Sequence, residues 1–217
     1  MELNKLIDHT LLRADASKAE IEKLCEEAKQ YHFASVCVNP HYVSMCAKLL
    51  KDTDVKVCTV IGFPLGQATT KVKCNEALDA CRNGATEVDM VINIAALKDR
   101  DLDFVANEIV QVKEVCHRNH AILKVIIETC LLTQRNKIDA CQCVSLAHAD
   151  YIKTSTGFST AGATIEDIKL MKKYVDPSVK IKASGGIRTR KDAIALVEAG
   201  ASRLGTSRGI DIVTYNK

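Results

Sequence analysis

Tryptophan is absent from this chain, proline occurs three times, and aromatic residues make up only 4% of it. So few flat side chains leave little from which to build a base-stacking surface, which argues against single-stranded nucleic acid as a partner. No charge of one sign dominates either. The formal net charge is +3, and lysines and arginines alternate with acids along the chain. Without a basic block, a duplex-binding face is not expected. No apolar run reaches the roughly 18 residues that a membrane span needs. The opening MELNKLIDHT lacks the charged leader and apolar run of a secretory signal. No GxGxxG turn follows the first apolar run, which weighs against an open dinucleotide-binding sheet. No Pro- or Ser-rich linker divides the 217 residues, so one domain over 1–217 is expected.

Cysteine is plentiful, with ten scattered residues, but no CxxC pair occurs. Cys141 and Cys143 come closest, in a helical pattern where positions i and i+2 point apart. These thiols read as small buried hydrophobes of a reducing compartment. The six histidines form no ligand set, and His117 and His120 fall at a polar helix end. No metal site is expected.

What the chain does contain is alternation. Strand-like runs rich in Val and Ile, at 35–40, 55–64, 87–93, 123–130, 151–157, 179–187 and 202–209, are separated by amphipathic helical patterns. LIDHT (6–10) fits a further short strand. Near-continuous apolar strands mark a parallel sheet buried on both faces. Helical spacing recurs at Ile21, Leu24, Cys25 and Ala28, and at Leu102, Val105, Ala106 and Ile109. Ser17-x-x-Glu20 reads as a capping box, and Thr189-x-x-Asp192 as a looser one. Strand ends recur about every 25–35 residues, the length of a βα unit. Eight units fit, which favours an α/β single-domain (β/α)8 TIM barrel over an open doubly wound sheet.

Chemistry in such a barrel gathers at the carboxyl ends of the strands. Those ends carry Asp8, Asn39, Gly62, Asp89, Asn93, Glu128, Lys153 and Lys182. The segments YIKTSTG (151–157) and KIKASGG (180–186) place lysines at corresponding positions of successive strands. Two inward amines in proximity should depress each other's charge, leaving one as a nucleophile able to form a Schiff base with a carbonyl. Asp89 is suited to carry protons beside Lys182. Alternation along a strand predicts a shared face for Lys124, Ile126 and Glu128, and another for Asp89, Val91 and Asn93. Glycine-rich turns at SGGIR (184–188) and GTSRG (205–209) suit a phosphate, with Gly185, Gly186, Gly205 and Ser207 as its contacts.

In order, LIDHTLL, CVNP, VIGFPLG, EVDMVIN, LKVIIETCLL, YIKTSTGF, IKASGGIR and RLGTSRG strongly resemble the deoxyribose-phosphate aldolase family. The resemblance implies a class I aldolase without metal or cofactor, reversibly cleaving 2-deoxy-D-ribose 5-phosphate to acetaldehyde and D-glyceraldehyde 3-phosphate. It implies Lys153 as the Schiff-base residue, and Lys182 and Asp89 as its proton-handling partners. Lys124, Asp8 and Thr10 become supporting residues near the substrate, and Gly157 joins the phosphate contacts. A cytoplasmic location and a homodimer are implied too. Some family members carry a lysine where this chain has Phe158, which shifts the expected phosphate grip to backbone and Ser207. Tyr215 stands near the position of a tyrosine that ends the family's tail. Cys37, near a strand end, is a candidate for attack by aldehydes. Another Schiff-base aldolase, a metal-dependent lyase and a silent sugar-phosphate-binding barrel are the competing readings.

Overall fold

The computed structural model describes residues 2–214, so the expectation placed on Tyr215 lies outside the described residues. Eight strands, β1 (Ile7–Leu11), β2 (Ser35–Val38), β3 (Lys56–Ile61), β4 (Glu87–Val91), β5 (Ile122–Ile126), β6 (Tyr151–Lys153), β7 (Lys180–Ser184) and β8 (Arg203–Thr206), pair in parallel and in chain order. β8 returns to β1 through Ile7–Leu204 and Asp8–Gly205 neighbours, closing the barrel. The helices are α1 (Lys18–Gln30), α2 (Val43–Leu49), α3 (Thr70–Arg82), α4 (Ile94–Lys98), α5 (Leu102–Arg118), α6 (Gln134–Leu146), α7 (Ile165–Tyr174), α8 (Arg190–Ala199) and α9 (Gly209–Thr214).

The core forms where the apolar strand faces meet the helices. Ile21, Leu24, Cys25 and Ala28 of α1 are all buried, as their spacing requires. Each large side chain so buried contributes roughly 1.5–3 kcal/mol. The Ser17–Glu20 and Thr189–Asp192 capping boxes form at the starts of α1 and α8, and Thr133–Asn136 makes an unanticipated third at α6. Gly200, at φ +131°, ends α8 with a backbone that a side chain would strain. Inside the barrel a small apolar cluster of Leu12, Cys37, Cys58 and Val60 packs beneath Phe63.

All seven of the apolar runs outlast their strands, and in two of them the difference displaces a predicted face. β4 stops at Val91, and Asn93 instead caps α4, its side chain accepting from the Ala96 N–H. β5 stops at Ile126, and Glu128 adopts a left-handed backbone at φ +54°. The shared faces expected for Asn93 and Glu128 do not form, because period-two alternation holds only while the backbone stays extended.

Candidate active site

The floor of the barrel mouth is a cluster of acidic and basic side chains. β4 supplies Glu87 and Asp89, two apart and so on one face. Register sets Asp89 beside Lys124 of β5, and Lys153 of β6 beside Lys182 of β7. Lys153 and Lys182 both donate to the same oxygen, Asp89 Oδ2, each at 2.7 Å. Lys124 donates to Asp89 Oδ1 at 2.8 Å and lies 2.6 Å from Glu87 Oε2. Asp8 Oδ2 lies 2.5 Å from the Lys182 ammonium, and Ser35 Oγ donates to Asp8 Oδ1 at 2.7 Å. Gly205 explains how Lys182 fits. A Cβ there would sit 3.0 Å from Ser184 Cβ and 3.1 Å from Lys182 Cε.

The expected mutual depression of two amines is corrected by this geometry. Asp89 stands between them. Burial works against the charge on Lys182, but Asp8 and Asp89 outweigh it and hold its ammonium above the usual lysine range. Lys124 is raised likewise: burial opposes its charge, and Asp89, Cys58, Glu87 and Asp8 overcome that. Burial also opposes the carboxylate of Asp89, yet Lys124, Lys153 and Lys182 hold it well below its ordinary range. Lys182 is therefore a charged donor beside Asp89, not a crowded neutral amine.

Above the cluster opens a cavity of about 770 Å³. Among the described residues Lys153 is the one lysine that lines it, while Lys124 and Lys182 are fully buried beneath. Asp8 is buried there too, so Lys124 and Asp8, expected at the substrate, instead hold the groups below it. Thr10 does line the cavity, its hydroxyl donating to the Asp8 carbonyl at 2.8 Å. The glycine turns line the same cavity, with Gly157, Gly185, Gly186, Gly205 and Ser207 all on its wall. A Cβ at Gly157 (φ +85°) or Gly186 (φ +75°) would meet nothing within 4 Å, so both turns border open space.

The small residues after each lysine have a local reason. Ser184 N–H donates to Thr154 Oγ1 at 3.1 Å, and Ser184 Oγ donates to the Ser155 carbonyl at 2.6 Å. These bonds stitch the TSTG and ASGG turns together. Glu128 adds a second clamp, accepting from both the N–H and the hydroxyl of Thr156. Its role is to hold the loop after Lys153, which its place in an apolar run did not reveal.

Sequence reasoning missed three cavity arginines, Arg13, Arg188 and Arg208. The last two belong to the quoted motifs SGGIR and GTSRG, where an arginine within three residues of a turn glycine was the available signal. Phe158 also lines the cavity and meets Phe63 edge-on, ring centres 5.3 Å apart. Of the two readings of Cys37, aldehyde target and core thiol, the structure favours the second: it is fully buried in the cluster under Phe63 and is not on the cavity wall. Cys58 forms metal-like groupings with Cys37 and Asp89, and with Asp8 and Glu87. Lys124 Nζ stands among the second set, 3.1 Å from Cys58 Sγ, 2.6 Å from Glu87 and 3.7 Å from Asp8. These donors thus serve an ammonium ion.

Residues 3–214 match the model of the DeoC/LacD family aldolases. The chain belongs to this family. It is 58% identical over 217 residues to a deoxyribose-phosphate aldolase of Brevibacillus brevis, covering 100% of this chain and 97% of that protein. A deoxyribose-phosphate aldolase of Geobacillus sp. is 60% identical over 209 residues, covering 96% and 93%. Among solved structures, the tetrameric deoxyribose phosphate aldolase of Aeropyrum pernix superposes with a TM-score of 0.91 at 34% identity, covering 97% of this chain and 89% of that one.

Proposed function

We propose that this chain is a class I aldolase that reversibly cleaves 2-deoxy-D-ribose 5-phosphate to D-glyceraldehyde 3-phosphate and acetaldehyde. The observation that carries the reading is the placement of Lys153: it alone among the clustered lysines reaches the cavity, bonded to Asp89 and facing glycine turns. Full-length relatives named deoxyribose-phosphate aldolase support the substrate.

The steps follow from the groups present. Lys153 Nζ, as the free amine, attacks C1 of the open-chain aldehyde, and the carbonyl oxygen takes up a proton to give a carbinolamine. Asp89 and Lys182, through water, supply and remove the protons that expel that oxygen as water and leave an iminium. Loss of the C3 hydroxyl proton lets the C2–C3 bond break, its electron pair passing to the iminium to form an enamine. Glyceraldehyde 3-phosphate departs. Protonation of the enamine at C2 and hydrolysis release acetaldehyde and return the amine. Gly157, Gly185, Gly186, Gly205 and Ser207, with Arg188 and Arg208, are the candidate phosphate contacts, the arginines offering the planar fork that suits phosphate.

A homodimer and a cytoplasmic location follow from the family resemblance, and ten free thiols suit a reducing compartment. Among the described residues no helix is long and apolar enough to cross a membrane. A coupled assay for glyceraldehyde 3-phosphate tests the activity. Turnover that persists in chelator is expected. Binding of deoxyribose 5-phosphate without turnover, or loss of activity in chelator, would overturn the reading.

A further inference from the structure

The cluster holds four basic side chains, the buried Lys124, Lys153 and Lys182 and the partly buried Arg203, against three buried carboxylates, Asp8, Glu87 and Asp89. Arg203 stands two residues before Gly205 on β8, one layer deeper than the cavity wall, which it does not join. Its Nη1 donates to Asp8 Oδ1 at 2.6 Å and to Glu87 Oε2 at 2.9 Å. Asp8 holds Lys182 at 2.5 Å and reaches Lys124 at 3.7 Å, and Glu87 holds Lys124 at 2.6 Å. Both lysines converge on Asp89. Two routes of equal length therefore run from Arg203 to the acid that binds Lys153.

The arithmetic of partners is uneven. Lys182 is held by Asp8 and Asp89, and Lys124 by Glu87 and Asp89. Lys153 is paired with Asp89 alone. A guanidinium keeps its proton at any ordinary pH, whereas an ammonium can release one. With Arg203 permanently charged, four basic groups face three carboxylates, an excess of one, and Lys153 is the amine with a single carboxylate partner. The other groups that meet Arg203 do not remove this excess. They are the Tyr151 ring of β6, 5.5 Å away, and Lys182, its register neighbour on β7. Ser35 of β2 and Cys58 of β3 join through Asp8 and Lys124, as a hydroxyl and as a thiol whose ionisation burial opposes.

We propose that Arg203 is a positioning residue for the Lys153 reaction: through Asp8 and Glu87 it seats Lys182 and Lys124 on Asp89, and its fixed charge makes Lys153 the cation the cluster releases. The proposal rests on the Schiff-base reading above. It assigns a reaction role to a side chain that the substrate cavity does not touch.

The test is the pH profile of kcat/KM for Arg203→Met, Arg203→Lys and Glu87→Gln. Removing the arginine charge makes an amine proton harder to lose, so the acid limb of Arg203→Met moves to higher pH by about one unit, the size of one charge acting over this range. Its kcat at neutral pH falls by up to about tenfold and recovers as pH rises, while KM changes less than about twofold. Arg203→Lys returns the limb toward its original position. Glu87→Gln removes a negative charge and moves the limb to lower pH. A folded Arg203→Met whose activity loss is the same at every pH would overturn the proposal. If that variant does not fold, Glu87→Gln decides alone: an acid shift supports the proposal, and no shift or an alkaline one overturns it. Borohydride trapping of the unsubstituted protein separates the two readings. An adduct on Lys153 with unmoved limbs defeats only the role of Arg203, whereas no adduct on Lys153 defeats the imine itself.

Discussion

Two assemblies of buried charge stand a short way apart in this barrel, and they are built on different plans. Between α3 and α5, Lys73 and Glu108 form a fully buried pair at 2.8 Å. Glu108 also accepts from the Asn93 N–H at 3.1 Å, and Gly62 leaves space for the Lys73 stem, which a Cβ there would approach to 2.8 Å. One cation meets one anion, and neither lines the cavity. Inside the barrel, four cations meet three anions, and the cluster touches the cavity at Lys153. A matched pair fixes structure: it ties α3 to α5 and to the loop that ends β4. An unmatched cluster has a charge to give away, and it has been placed where a carbonyl can receive the amine.

This contrast predicts opposite consequences for lysine substitutions. Lys153→Met should abolish turnover, by about 10³-fold or more, with little change in melting temperature, because the amine is the bond-forming group. A kcat within tenfold of the unsubstituted protein would erase the distinction. Asp89→Asn follows, with kcat lowered about 10²–10⁴-fold, the range of general acid–base assistance. Lys73→Met should do the reverse. Leaving Glu108 buried and unpaired costs about 3–5 kcal/mol in denaturant unfolding while kcat holds, and replacing Glu108 by Leu in the same chain recovers most of that loss. Gly205→Ala is smaller. The added methyl presses on Lys182 and Ser184, and an overpacking cost of about 1–3 kcal/mol is expected together with reduced kcat. Arg208→Gln should be the mildest, raising KM for the phosphorylated sugar several-fold but not for unphosphorylated deoxyribose, with stability within about 0.5 kcal/mol because the side chain is exposed.

The same contrast explains what could be read in advance. Lys153, Lys182 and Asp89 were legible because a charged residue inside an apolar strand run has no bland explanation, and because two such runs repeat. Strand order and closure followed from the spacing of eight units. Lys73 was not legible, since a lysine in TKVKCNEALDACR reads as an ordinary solvated helix position, and its partner is 35 residues away. Arg203 was hidden for a stronger reason: its bond to Asp8 joins residues 195 apart, which only closure of β8 on β1 brings together. The crowding reading expected two lysines to depress each other's charge, and the carboxylates around Lys182 overturn that cause. Proximity of two lysines was visible in the motifs, but the carboxylate between them came from a third strand, and the count of four against three needs every strand in place.

Peptide mapping after borohydride reduction with limiting deoxyribose 5-phosphate bears most directly on the unmatched cluster. One reduced adduct, on the peptide carrying Lys153 and absent from Lys124 and Lys182, is the predicted result. An adduct on Lys182 or Lys124, or full activity with none on Lys153, would contradict it.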